Sequence, residues 1–475
     1  MRSKPIYLFI VFLLLSTLPL IGSLEESNDR IDWVIDVDAD GDAYVTIILQ
    51  AGEEIRDTWI LLPSRENLTL NPEHQACSYT YSRKRWSYFY DNYTFHFTDP
   101  ITLEISYPFR QASIFEEKRG MFLSPLIMLD RRLRGEIKIV LPNVEEILRK
   151  APPPAQIERR GSIHILSYHI PLNMKLLEYF DRIWILYSLR SNMSLSHLVV
   201  GAFESMVSNP YSDEAEDLLK RVGEVNNKIS SFFGFNVSNV KFLFYVPEFV
   251  QEAGGYVPVR EGIVPDEIHI NLLMLRYIPG YLDLVAVHEL IHHYVWRAGV
   301  DPELRWFHEG AATFLSVQFL LDRKMDGVET YYRDISLASS QFNDVGFILD
   351  WSDEYGSASH YAAAFKVFQE LNSTLGLDFF KRLFRDIREK GVRISTNEEL
   401  FQEMSRVSDG ASDKVLARLG LRAETIELGS KAYIRPHGYY LDEILKVTAV
   451  ILAAAITALM ATSILYRREA ARNSL

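Results

Sequence analysis

The run from Tyr281 to Ala298 constrains this chain more than any other segment. Leu284, Val285, Val287, Leu290, Ile291 and Val295 recur at helical spacing, which predicts a buried helix. Yet the same run carries His288, Glu289 and His292 among its apolar residues. Polar side chains inside a buried helix need partners. The spacing H-E-x-x-H sets the two imidazoles one turn apart on one face, where both can ligate a single metal ion. Glu289 falls to the side of that ion, where it can take a proton from a water molecule that the metal polarises. Neutral nitrogen ligands, an open coordination position and a nearby base are what such chemistry requires.

Two histidines do not complete a site, and the chain supplies a third candidate downstream. Trp306-Phe307-His308-Glu309-Gly310-Ala311-Ala312 follows, with 16 residues between His292 and Glu309, and opens an apolar helical stretch from Ala311 to Leu321. An H-E-x-x-H helix followed by W-x-x-E-G-x-A resembles the gluzincin zinc metallopeptidases, and the aminopeptidase-N-like group most of all. The resemblance covers roughly residues 215–390. It implies that Glu309 is the third ligand beside His288 and His292, that one zinc ion is bound per chain, and that Glu289 is the general base. His308 stands where that family has Asn, and the connection between the two motifs is slightly shorter than usual. His308 is the competing third ligand. His293 lies about 100° around the helix from His292 and points away. The metzincin pattern is excluded, because Val295 and Ala298 occupy its Gly and His positions.

The same resemblance implies a tyrosine that steadies the oxyanion of the reaction. Tyr361 fits that place at the head of a helical run through Phe365, Val367, Phe368 and Leu371, with His360 and Tyr355 as competitors. It also implies an edge strand that pairs with the substrate backbone, for which Gly254, Gly255 and Tyr256 are the candidates. The aminopeptidases carry G-x-M-E-N at that strand. This chain reads Gly-Gly-Tyr-Val-Pro-Val-Arg-Glu-Gly, with Glu261 out of register.

The fold class expected is α+β. Residues 24–192 form a β-rich N-terminal domain, and residues 193–440 form a mostly helical catalytic domain with a small sheet. Trp33–Val37, Tyr44–Leu49, Leu103–Tyr107, Ile137–Leu141, Ile163–Ile170 and Ile183–Tyr187 are β-prone runs separated by turn residues. Asp36 to Gly41 matches half of a calcium-binding loop, but its twelfth position is Ile47 rather than Glu, and a hairpin turn is the better reading. Helical spacing is expected over Leu198–Val207 and Asp213–Phe233, and strands over Val240–Tyr245 and Glu267–Ile270. The N-terminal domain is expected to pack on the catalytic domain and to limit access to its cleft.

The two ends place the chain. Arg2 and Lys4 precede an apolar run, Ile6–Ile21, which reads as a secretory signal or an uncleaved anchor over residues 1–23. Val447–Leu465 carries no charge and would span about 28 Å, the thickness of a bilayer core. Residues 446–466 are therefore expected to cross the membrane once. Arg467, Arg468 and Arg472 follow, so residues 467–475 form a cytoplasmic tail and the catalytic domain lies outside the cytoplasm. Sequons at Asn67, Asn92, Asn192, Asn236 and Asn372 are compatible with export, and the single cysteine, Cys77, permits no intrachain disulfide. A net charge of −13 argues against a nucleic-acid partner. An intramembrane protease is disfavoured, because Asp283 and Arg297 bracket a motif too short to span. A peptide or protein substrate is expected. The alternative is a surface binding module that keeps the scaffold without turnover.

Overall fold

The computed structural model describes residues 29–422, apart from 53–55, 65, 73–78, 171–181, 251–252, 260–263 and 352–356. The terminal segments 1–23, 446–466 and 467–475, together with Cys77, Glu261 and Tyr355, lie outside the described residues.

The first part of the chain is built from three sheets. The largest has seven strands in the order Gln156–Arg160, Ile163–Ile170, Gly135–Leu141, Arg30–Val37, Ala43–Ala51, Ile101–Phe109, Thr69–Pro72. Alternation decides which face is buried. Ile31, Trp33, Ile35 and Val37 point inward from one strand, and Val45, Ile47 and Leu49 from its neighbour. Of the Asp36–Gly41 segment, Asp36 and Val37 end one strand, and the chain turns from Asp38 to Asp42. Asp38 Oδ1 accepts the backbone N–H groups of Asp40 at 2.9 Å and Asp42 at 3.0 Å. Gly41 has φ +92°, and a Cβ there would stand 2.2 Å from the Ser113 carbonyl oxygen, so glycine alone fits. The Asp38 carboxylate is thus committed to a hairpin. A three-stranded sheet (Asp57–Pro63, Tyr90–Phe97, Tyr79–Arg85) and a four-stranded sheet (Val144–Ala151, Trp184–Leu189, Arg119–Leu123, Ser113–Glu116) complete this part.

A five-stranded sheet follows, in the order Leu195–Val200, Phe203–Ser208, Val240–Tyr245, Glu267–Asn271, Gly255–Tyr256. The expected helix over Leu198–Val207 is a hairpin instead. Its apolar residues fit either period, but Gly201 has φ +62°, and alternation buries Phe203, Ser205 and Val207 while Val199 and Met206 face solvent. The short Gly255–Tyr256 strand runs antiparallel to Glu267–Asn271 at the end of the sheet.

Eight α-helices are described: α1 (Ser212–Phe233), α2 (Tyr281–Ala298), α3 (Arg305–Leu320), α4 (Asp326–Ser339), α5 (Ala358–Leu375), α6 (Leu377–Lys390), α7 (Asn397–Val407) and α8 (Ala411–Arg418). Helix α2 is stopped at both ends by left-handed glycines, Gly280 and Gly299. Near its start the buried Asp283 carboxylate receives both arms of Arg221 from α1, at 2.5 and 3.2 Å. Helix α3 begins six residues before the expected Ala311, so Glu309 lies inside the helix. A Cβ on Gly310 would come within 2.7 Å of the Phe368 ring and 3.1 Å of the Ala364 carbonyl oxygen. Glycine therefore lets α3 and α5 meet almost backbone to backbone beside Glu309. Among the described residues, no helix is long and apolar enough to cross a membrane.

Candidate metal centre

Helices α2 and α3 bring three of the expected ligands together. The Nε2 atoms of His288 and His292 are 3.2 Å apart. Glu309 Oε2 lies 3.1 Å from His288 Nε2 and 3.7 Å from His292 Nε2. One ligand atom from each residue falls within 4.8 Å of the other two, and among the described residues no other cluster of this kind occurs. Bonds of about 2.0 Å at tetrahedral angles place ligand atoms about 3.3 Å apart, which these separations match. Two imidazoles and one carboxylate are also a donor set that suits zinc. The residues present therefore fit a single zinc ion.

Burial and the two carboxylates act on each group of the cluster differently. Burial pushes His292 down to about 3, which keeps it a neutral nitrogen donor. For His288 burial works downward, but the hydrogen bond with Glu309 and the charges of Glu289 and Glu309 outweigh it and raise its pKa. For Glu309 burial works upward, but His292 and His288 prevail and hold it below its ordinary value. Burial pushes Glu289 up to about 8, with His288 opposing and Glu309 adding to the rise. Its Oε2 lies 4.0 Å from His292 Nε2, beside the ligand set rather than in it.

The competing histidines turn elsewhere. His293 Nε2 donates to the Glu267 carbonyl at 3.2 Å, and His308 Nε2 donates to the Val300 carbonyl at 3.3 Å. His308 instead lies against His292, ring centroids 5.8 Å apart at 21°. Burial pushes its pKa down to about 4, so it is a neutral packing partner. His360 is spent at the start of α5, where its Nδ1 stands 2.8 Å from Ser357 Oγ and 3.2 Å from Ser357 N.

A cleft of about 1330 Å³ opens onto the site. His288, Glu289 and Tyr361 line it, as do Gly254, Gly255 and Tyr256. Tyr361 is held well above its ordinary pKa, first by burial and then by the charges of Glu309 and Glu289, which places its hydroxyl in the field of both carboxylates. Gly255 lets the edge strand approach closely: a Cβ there would stand 2.9 Å from Val285 Cγ1 and 3.1 Å from Glu289 Cγ. The sequence did not single out Tyr277, Tyr281 or Tyr331, which also line the cleft. With 25 tyrosines in the chain, no local pattern separates these from the rest. Glu116 and Arg119 reach the cleft from the four-stranded sheet, and Glu116 Oε2 accepts the Val246 N–H at 3.0 Å.

No family model and no curated protein matches the chain. Several solved structures are similar to it at low identity. Leukotriene A4 hydrolase from Saccharomyces cerevisiae is 12% identical with a TM-score of 0.36, over 90% of this chain and 73% of that one. Legionella pneumophila aminopeptidase A in complex with aspartic acid is 12% identical with a TM-score of 0.34, over 82% of this chain and 49% of that one. The M1 zinc metallopeptidase from Deinococcus radiodurans is 11% identical with a TM-score of 0.33, over 83% and 94%. Likeness of this degree assigns no activity.

Proposed function

We propose that this chain is a zinc-dependent metallopeptidase, anchored in the membrane by residues 446–466 with its catalytic domain, residues 193–440, outside the cytoplasm. The observation that carries the catalytic reading is the convergence of His288, His292 and Glu309 within 4.8 Å, beside a buried carboxylate that is not a ligand. The anchoring and its direction rest on the two apolar termini and the arginines after Leu465.

His288, His292 and Glu309 would hold the ion, which when bound polarises the scissile carbonyl and makes water acidic enough to attack it at neutral pH. Glu289 takes a proton from the attacking water as the new C–O bond forms. It then passes that proton to the leaving nitrogen as the C–N bond breaks, giving one acid and one amine. Tyr361 donates its hydroxyl to the oxyanion that develops between these two events. The Gly254–Tyr256 edge offers backbone groups to the substrate, in the manner of an added strand.

The test is cleavage of a mixed peptide library by the purified, zinc-loaded full-length chain, read by mass spectrometry beside Glu289→Gln. The wild type cuts, and the variant is slower by at least about a hundredfold while retaining one zinc. If neither protein cuts while both hold zinc, the chain is a binding module on the same scaffold.

A further inference from the structure

We infer that the cleft accepts an internal stretch of an extended polypeptide, anchored by bulky apolar or aromatic side chains, so that cleavage falls inside the chain rather than at a free N-terminus. This rests on the peptidase reading of the same site.

The first observation is where the exposed rings lie. Phe249, Tyr256 and Tyr277 line the cleft, and they are 47%, 40% and 44% exposed. Each is backed by another ring. Tyr277 is stacked on Tyr281 at 5.2 Å, and Tyr281 meets Tyr331 edge-on at 5.8 Å. Tyr256 is stacked on His269 at 4.6 Å. Phe249 meets Trp184 edge-on at 6.3 Å, with the Arg149 guanidinium 4.6 Å from its centroid. A ring fixed from behind offers contact area at little further cost in entropy. These rings stand on separate segments around a volume larger than the roughly 300–1,000 Å³ of a small-molecule pocket. One terminal residue cannot occupy them all, whereas several consecutive residues laid along the Gly255–Tyr256 edge can.

The second observation is charge. A free α-ammonium entering the cleft needs a carboxylate to offset its desolvation. Among the described lining residues three carry carboxylates, Glu289, Glu116 and Glu248, and Glu248 is paired with arginine. Glu289 is the base. Glu116 accepts the Val246 N–H at 3.0 Å, and Glu248 pairs with Arg149 at 3.1 Å and Arg119 at 4.0 Å. Arg119 adds positive charge at the rim. An uncharged internal amide enters without that cost.

The deciding experiment offers the zinc-loaded full-length chain two matched sets of peptides. One set has free termini, and the other is N-acetylated and C-amidated. Blocked peptides are expected to be cut internally, at rates within about threefold of the free ones, next to Phe, Tyr, Leu or Met. Tyr277→Ala, with thermal stability close to wild type, should lower kcat/KM for substrates with an aromatic residue beside the scissile bond about tenfold relative to substrates with alanine there. Stepwise release of single N-terminal residues, abolished by acetylation, overturns the inference while leaving the peptidase intact. An unchanged aromatic-to-alanine ratio in Tyr277→Ala overturns the role given to that ring. No cleavage of either set overturns the peptidase reading itself.

Discussion

Gly255 and Glu289 lie in near contact across the cleft floor: a methyl group on the glycine would stand 3.1 Å from Glu289 Cγ and 2.9 Å from the His269 carbonyl oxygen. The edge strand therefore packs against the carboxylate proposed as the base. Gly255→Ala is expected to fold, because the strand is short and marginal to the core. Its kcat should fall about a hundredfold, the cost of misplacing a reacting group by about 1 Å. A steady-state comparison with wild type at equal zinc occupancy checks this.

The His308 ring lies nearly parallel to that of His292, a proposed ligand. Replacing His308 by Leu removes that flat neighbour and the donor to Val300. Zinc affinity is expected to weaken by about 10- to 100-fold, as for other residues that orient ligands. Competition with a chromophoric chelator measures it. An unchanged affinity would mean that α2 alone orients His292.

Removing the metal has a structural effect as well as a catalytic one. His288, His292 and Glu309 form a partly buried polar cluster. An ion bound to the folded state alone stabilises it by about 2.7 kcal/mol when present at a hundred times its Kd. Chelation should lower the Tm of the wild type and abolish cleavage, and added zinc should restore both. Glu309→Ala should show little response in Tm to either treatment.

Acid should act at a place far from the site. Asp130 is buried and receives Arg132 through Nε at 3.0 Å and Nη2 at 2.6 Å. That hydrogen bond, against the opposing effect of burial, holds its pKa below the ordinary carboxylate value. A depressed folded pKa contributes stability above the unfolded value of about 3.9, and that contribution is lost as pH falls through the folded value. Asp130→Asn should therefore cost up to about 1 kcal/mol at neutral pH, since Arg132 is half exposed. The difference from wild type in urea unfolding should shrink as pH falls below about 4.

The legible parts of this chain were those whose signal is local. Helix α2 could be bounded because its apolar period runs unbroken between Gly280 and Gly299. The Ile163–Ile170 and Val240–Tyr245 strands were readable from their β-branched and aromatic runs. The ligand set could be proposed because two ligands share a helix and the third follows a short connection. The Leu195–Ser208 hairpin was not legible, because its apolar spacing fits two periods and a single glycine decides between them. Nor were the rings of the cleft. Phe249, Tyr277 and Tyr331 come from three separate segments, and only the folded chain brings them to one surface.

The near-contact of Gly310 with Phe368 has a consequence for how this site can change. Glu309 precedes the one position where α3 has no side chain to keep α5 away. Trimming or enlarging Phe368 therefore acts on the carboxylate as a lever acts on its far end. If the proposed site holds an ion, its fit is open to change through a residue that never meets the ion.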